Sequence, residues 1–174
     1  MKKEKLLILL ITLFVVLIQD ETFCQQDKSQ RPSPPAEVAK QTGLTTVTIN
    51  YSQPSVKSRK IWGDLVPFGE VWRAGANEAT TFKIDKDSKI NGNSLTAGKY
   101  GFFVIPNEKE WTLIFNKNPD QWGAFSYDEK QDALRIPAKP SQSSVYNEKL
   151  IYTIQDDGTV TLAWENLQVS FTVK

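Results

Sequence analysis

A set of aromatic and polar side chains outside the regular strand patterns could form a ligand site. Trp72 and Trp122 lie in glycine-containing segments, with arginine, asparagine, glutamate or tyrosine nearby in the sequence. Flat rings beside hydrogen-bonding groups suit a sugar ring or another small amphipathic ligand. The same rings could instead be buried in a core, and a charged pair could pin a loop to a sheet. The candidate binding residues are Arg59, Trp72, Arg73, Asn77, Glu78, Trp122 and Tyr127.

Nucleophilic and acid–base catalysis have few candidate residues in this chain. It contains no histidine, and its only cysteine is Cys24, at the end of the N-terminal export segment. Ser-His-Asp and Cys-His mechanisms are therefore excluded. The serines and lysines within residues 55–60 are typical of a solvated loop. A glycoside hydrolase needs two carboxylates, and the pair to consider is Glu78 with Asp128, although we assign no catalytic residue.

Metal, cofactor and nucleic-acid binding are not indicated. A chain with no histidine, and no cysteine in its mature part, lacks the usual transition-metal ligands. Asp85 and Asp87 superficially resemble the start of a calcium loop, but Lys89 occupies the next ligand position. We therefore expect no metal and no cofactor. The formal charge of +1 predicts no nucleic-acid partner.

The elements that must position the candidate residues are β-strands. Apolar residues alternate with polar ones in the two-residue period of half-buried strands, as at Val47, Ile49 and Tyr51. Asn91-Gly92 predicts a tight hairpin, and residues 100–105 and 111–116 predict the next one. Short strands at this spacing favour a single all-β domain, an antiparallel β-sandwich with jelly-roll-like character, over a closed barrel. The same alternation recurs at Trp111, Leu113 and Phe115; Leu150, Tyr152 and Ile154; Val160, Leu162 and Trp164; and Val169, Phe171 and Val173.

The first 24 residues are organised like a secretory signal peptide. Three lysines within residues 1–5 precede an almost unbroken apolar run of 13 residues, 6–18. Such a run spans roughly 20 Å as a helix, short of the ~30 Å hydrocarbon core of a bilayer. We expect cleavage after Cys24 and export to the periplasm or the extracellular space. An uncleaved membrane anchor and lipidation of Cys24 are the alternatives, and membrane contact is expected only through this segment.

Residues 25–41 separate the signal peptide from the strand patterns. They contain three prolines among polar and charged residues, and their first dozen positions lack apolar periodicity. This composition predicts a flexible linker over 25–41 and a folded domain over 42–174. A chain of 174 residues, 40% of them hydrophobic, is long enough for one such core and no more.

Several motifs follow one another along the chain: YSQPSVKSRKIWGDLVPFGEVWRAGANEATTF, NGNSLTAGKYGFFVIPNEKEWTLIFNKN and QWGAFSYDEKQDALR, followed by LAWENLQVSF. Together they resemble the domain of unknown function 2911 family of exported bacterial proteins. The resemblance covers roughly residues 51–140 and continues more loosely to the end of the chain. Because the family has no established activity, the resemblance implies export, typical of Bacteroidetes-like bacteria, rather than a reaction.

Taken together, these patterns favour a non-catalytic exported domain. Its expected partner is a small molecule, a glycan or an envelope component, bound through residues 55–81 and 121–128. The alternatives are a hydrolase of glycans that uses carboxylates and a structural module that binds no small ligand. The sequence leaves the oligomeric state open.

Overall fold

The structure is a computed structural model that describes residues 27–174, so the predicted signal peptide lies outside the described residues. It confirms the predicted all-β fold. Two short 3₁₀ turns, at Lys28–Gln30 and Glu129–Gln131, are the helical elements of this part of the chain, and none of its helices is long or apolar enough to cross a membrane. The strands are β1 (Pro35–Thr42), β2 (Thr45–Ser52), β3 (Thr80–Ile84), β4 (Ser88–Ile90), β5 (Asn93–Leu95), β6 (Gly98–Ile105), β7 (Trp111–Asn116), β8 (Asp132–Ala138), β9 (Ser141–Ile154) and β10 (Thr159–Thr172).

One layer of the sandwich is an antiparallel sheet of six strands in the order β1-β2-β3-β6-β7-β8. Its strands follow the chain order as a meander, except that the β4–β5 hairpin leaves the sheet between β3 and β6. The Asn91-Gly92 turn joins β4 to β5 with φ of 47° and 86°. These are the positive φ values that a tight two-residue hairpin turn requires, so the predicted hairpin is present.

The second layer is built on the long β9–β10 hairpin. Its two outer edges are extended by short bridges to other parts of the chain. Ser55 pairs with Lys149 beside β9, and Ile90 of the β4–β5 hairpin pairs with Val173 at the end of β10. The excursion of β4 and β5 therefore completes the second layer of the sandwich.

The core lies between the two layers and follows the predicted alternation. The apolar residues predicted on one face of each strand are all buried, among them Trp111 and Trp164. Phe82, Phe102 and Phe115 of the large sheet surround Phe171 of β10, with ring centroids 5.7 to 5.8 Å from the Phe171 ring. Aromatic packing between the layers thus holds the sandwich together without a disulfide.

The folded domain begins earlier than the sequence predicts. Residues 35–41, assigned to the flexible linker, form the edge strand β1 together with Thr42, and β1 is paired along its whole length with β2. Its inward side carries Ala36, Val38 and Lys40, each half-buried, and the buried Thr42, so its apolar alternation is weak. Pro35, which lacks a backbone N–H, is tolerated because it is the first residue of an edge strand.

Candidate functional site

The loop 72–80 is fixed to the core by hydrogen bonds from side chains. The carbonyl oxygen of Ala74 accepts from the hydroxyls of Tyr152 at 2.7 Å and Thr80 at 3.0 Å. The indole N–H of Trp72 donates to the carbonyl oxygen of Gly75 at 3.1 Å. Trp72 also pairs with β6 on the edge where β3 lies, because it exchanges two backbone hydrogen bonds with Val104. This irregular loop is therefore held in one shape.

The fixed loop forms one wall of a cleft that we call the Arg73 cleft, with a volume of about 300 Å³. Residues 54–59, the loop itself, and Trp164 of β10 surround it. Trp164 stacks on Trp72 with ring centroids 6.0 Å apart, and both rings are at least nine-tenths buried. The lining residues are Ser33, Pro54, Arg59, Leu65, Val66, Trp72, Arg73, Gly75, Ala76, Asn77 and Trp164.

A second irregular segment, residues 117–128, crosses the outer face of the six-stranded sheet. Buried Asn116 anchors it, because its amide donates to the carbonyl of Asp128 and its Oδ1 accepts from the amide N–H of Asn118. Tyr127 packs edge-on against Phe103 at 5.2 Å on that outer face. The segment then pairs with residues 77–79 through a bridge between Glu78 and Trp122.

This pairing creates a second cleft on the outer face, which we call the Trp122 cleft, with a volume of about 460 Å³. Asn50 and Thr81 are directly paired across β2 and β3 and belong to its lining. Their neighbours along each strand point into the core, so these two side chains point outward. Trp122 forms a wall and remains 58% exposed. The polar lining residues are Lys28, Asn50, Ser52, Glu78, Thr81, Lys99, Asp120 and Gln121.

Glu78 lies on the rim of the Trp122 cleft between two cations. Its carboxylate accepts hydrogen bonds from Lys28 Nζ at 2.9 Å and from Arg31, which contacts both carboxylate oxygens at 2.9 and 3.0 Å. Partial burial on its own raises the pKa of Glu78, but the bonds and charges of the two cations outweigh it and lower the pKa to about 2. Glu78 is therefore an anion at neutral pH and a poor general acid.

The structure divides the seven predicted binding residues among three places. Arg59, Trp72, Arg73 and Asn77 line the Arg73 cleft, whereas Glu78 and Trp122 line the Trp122 cleft. Tyr127 packs on the outer face and donates to Asp132 at 2.6 Å. Burial, and then this bond to a carboxylate, raise the pKa of the Tyr127 hydroxyl.

Two of the predicted binding residues have structural contacts that explain their presence. Trp72 is part of the core, since it is only 9% exposed. Arg59 donates to the carbonyl oxygens of Val56 and Ser55 and so stabilises its own turn. Of the four residues in the Arg73 cleft, Arg73 and Asn77 are thus the ones with polar groups suited to a ligand.

A family model described as a protein of unknown function, DUF2911, matches residues 33–173. The chain belongs to the DUF2911 family. The resemblance drawn from the motifs is therefore confirmed, and the description of the family assigns no activity. No curated protein and no solved structure matches the chain.

Several residues at the two clefts of this DUF2911 domain were not predicted as site residues. Lys28 and Arg31 hold Glu78, and Asn77 donates to the carbonyl oxygen of Ser33 at 2.9 Å. These partners come from the segment predicted to be a linker. Charged residues in a proline-rich stretch give no sign of a distant partner, so only the folded chain reveals this contact.

The two carboxylates considered for hydrolysis have separate roles in the DUF2911 domain. Glu78 is held by two cations at the Trp122 cleft, whereas Asp128 caps the 3₁₀ turn at Glu129–Gln131 by accepting from the amide N–H of Lys130. Each carboxylate thus has a structural partner of its own. Among residues 27–174 there is also no group of three acidic side chains that could hold a metal ion.

Proposed function

We propose that this DUF2911 domain is an exported, non-catalytic module that binds a neutral glycan through the Trp122 cleft. The observation that carries the proposal is the 58% exposure of Trp122 beside a concave surface of the sheet that includes several polar side chains. An exposed indole at the wall of a cleft is available for contact with a ligand. Its flat face suits the C–H face of a sugar ring.

The polar groups of the cleft support a ligand rich in hydroxyls. Asn50 and Thr81 offer an amide and a hydroxyl on the floor, and two ion pairs stand on the rim, Lys28 with Glu78 and Lys99 with Asp120. Each pair is internally neutralised, so the cleft has donors and acceptors without a strong excess of either charge. Such a surface favours a neutral polar ligand over an ion.

Export is part of the same proposal, because glycans of the cell envelope and its surroundings lie outside the cytoplasm. It is supported by the lysines and the apolar run of residues 1–18. The intact mass of the protein recovered from the producing cell tests it. A mature chain that begins at Gln25 is expected, and a chain that retains Met1 would contradict cleavage.

The test of glycan binding is the substitution Trp122→Ala, measured by fluorescence titration with a panel of neutral oligosaccharides of glucose, xylose and mannose. We expect at least one of them to bind the unmodified protein and the variant to lose roughly tenfold or more in affinity. Stability should change by no more than about 0.5 kcal/mol, because the ring is mostly exposed.

Phe125→Ala is the matched control. Phe125 is an aromatic residue of the same segment, is 89% exposed and does not line the Trp122 cleft. It should leave both binding and stability unchanged. Failure of every neutral oligosaccharide to bind, or equal loss of affinity in the two variants, would contradict the proposal.

A further inference from the structure

The Arg73 cleft contains buried hydrogen-bond donors that have no acceptor in the described chain. They are Nε of Arg73 and the indole Nε1 of Trp164, and both residues line the cleft. A third such donor is Nε1 of Trp62, whose ring packs edge-on against Trp164 at 6.1 Å. Buried donors in folded proteins are paired in the great majority of cases. Two of them belong to residues that line one cleft, and this points to an acceptor that the described chain does not supply.

The charge of the cleft has one sign. Among residues 27–174, its charged lining residues are Arg59 and Arg73, and no aspartate or glutamate lines it. Arg59 already donates to two backbone carbonyls, whereas Arg73 takes part in none of the ion pairs of this part of the chain. Arg73 therefore carries a half-buried positive charge without a counter-ion.

The position of Arg73 is set by the fold rather than by the charge. Its loop is held by the hydroxyls of Tyr152 and Thr80, and Ala74 and Asn77 adopt φ of 53° and 58°. Positive φ at residues other than glycine is strained and persists only where the surroundings enforce it. The backbone that carries Arg73 is thus held in place before any ligand arrives.

We propose that the Arg73 cleft binds a small organic monocarboxylate, with Arg73 as the charged partner and the indole N–H of Trp164 as a neutral donor. A guanidinium matches a carboxylate through two parallel hydrogen bonds. The volume of about 300 Å³ is at the small end of ligand sites. Leu65 is an exposed apolar residue of the lining, and it suits the hydrocarbon part of an organic acid better than a fully hydrated inorganic anion.

This site is separate from the proposed glycan site. Asn77 and Glu78 are adjacent in the sequence, yet Asn77 lines the Arg73 cleft and Glu78 lines the Trp122 cleft. The two ligands also differ in charge. Carboxylate binding can therefore be tested, and can fail, without any change in the result for neutral oligosaccharides.

The experiment titrates isotope-labelled protein with sodium benzoate and, as the matched uncharged probe, with benzamide. The nuclear magnetic resonance signals to follow are the indole N–H of Trp164, assigned through Trp164→Phe, and the Nε–H of Arg73. We expect benzoate to shift both signals and benzamide to shift neither. Arg73→Gln should weaken benzoate binding roughly tenfold or more, since it removes a charge-assisted hydrogen bond.

Arg135→Gln is the control for removal of an arginine, because Arg135 is already paired with Glu129. It should bind benzoate as the unmodified protein does. If Arg73→Gln does not fold, Arg73→Lys is the second variant. It keeps the charge but cannot form the bidentate pair of hydrogen bonds with a carboxylate, so it should still weaken benzoate binding. The proposal is overturned if benzoate at about 20 mM, well above a millimolar Kd, shifts neither signal. Equal shifts with benzamide, or unchanged affinity in both Arg73 variants, would overturn it as well.

Discussion

Glu78 illustrates what single residues contribute to this domain. It sits between Lys28 and Arg31, whose charges come from a segment some fifty residues earlier in the chain. Because the carboxylate is 38% exposed, solvent screens these pairs and their contribution to stability is modest. Their main effect is to fasten residues 27–34 over the edge of both clefts.

The lowered pKa of Glu78 predicts a specific dependence of stability on pH. A carboxyl whose pKa is lower in the folded state contributes stability above its unfolded pKa, near 4.5, and loses it as the pH falls toward 2. We expect the unmodified protein to lose about 1 kcal/mol or less over this window relative to Glu78→Gln. Urea unfolding of both proteins at a series of pH values measures the difference. Parallel pH curves for the two proteins would show that the cations do not act on Glu78.

Among the structural elements, the turn between β9 and β10 makes a close backbone contact with the C-terminal end of the chain. This turn contains Gly158, whose carbonyl oxygen accepts a hydrogen bond from the amide N–H of Val173, the residue that follows β10. A Cβ at Gly158 would lie 2.1 Å from the carbonyl oxygen of Val173, and the residue has φ of 86°. This close contact between backbones excludes any side chain.

Gly158 and Gly92 form a matched pair for testing that contact. Both have φ of 86°, but a Cβ at Gly92 would meet nothing within 4 Å. Gly92→Ala should therefore cost only the backbone strain, about 1 kcal/mol. Gly158→Ala should cost about 3 kcal/mol or more, because the clash adds to the same strain. Denaturant unfolding compares them, and equal losses would mean that the chain near Val173 moves aside freely.

At the scale of the whole molecule, stability depends on aromatic packing between the layers. The described part of the chain contains no cysteine that could form a disulfide. Phe171 is 3% exposed and is surrounded by three phenylalanines of the six-stranded sheet. It therefore joins the hairpin layer to the large sheet.

Phe171→Ala tests this role against Phe125→Ala. Removing a buried ring leaves a cavity, so we expect a loss of about 3 to 5 kcal/mol for Phe171→Ala. Phe125→Ala should stay within about 0.5 kcal/mol of the unmodified protein, because its ring is almost fully exposed. Thermal and urea unfolding measure both. A small loss for Phe171→Ala would mean that the two layers are held together elsewhere.

Local sequence patterns predict strands such as β2 and β7 and the face of each strand that is buried. Val47, Ile49 and Tyr51, and likewise Trp111, Leu113 and Phe115, are buried as the alternation predicts, and Asn91-Gly92 forms the predicted turn. These features depend on the backbone geometry of neighbouring residues. Because that geometry is local, the sequence predicts it. The strands that these patterns did not predict are β1, whose alternation is weak, β3 and β8.

Which candidate residues lie together depends on how the folded chain packs. Seven residues that the sequence grouped together are divided between two clefts and a packed tyrosine, and Trp164, predicted as core alone, is also a wall of one cleft. Lys28, Arg31 and Ser33 join the clefts from a stretch that reads as linker. Contacts between residues far apart in sequence depend on how the two layers and the irregular segments pack, and no local sequence pattern predicts that packing.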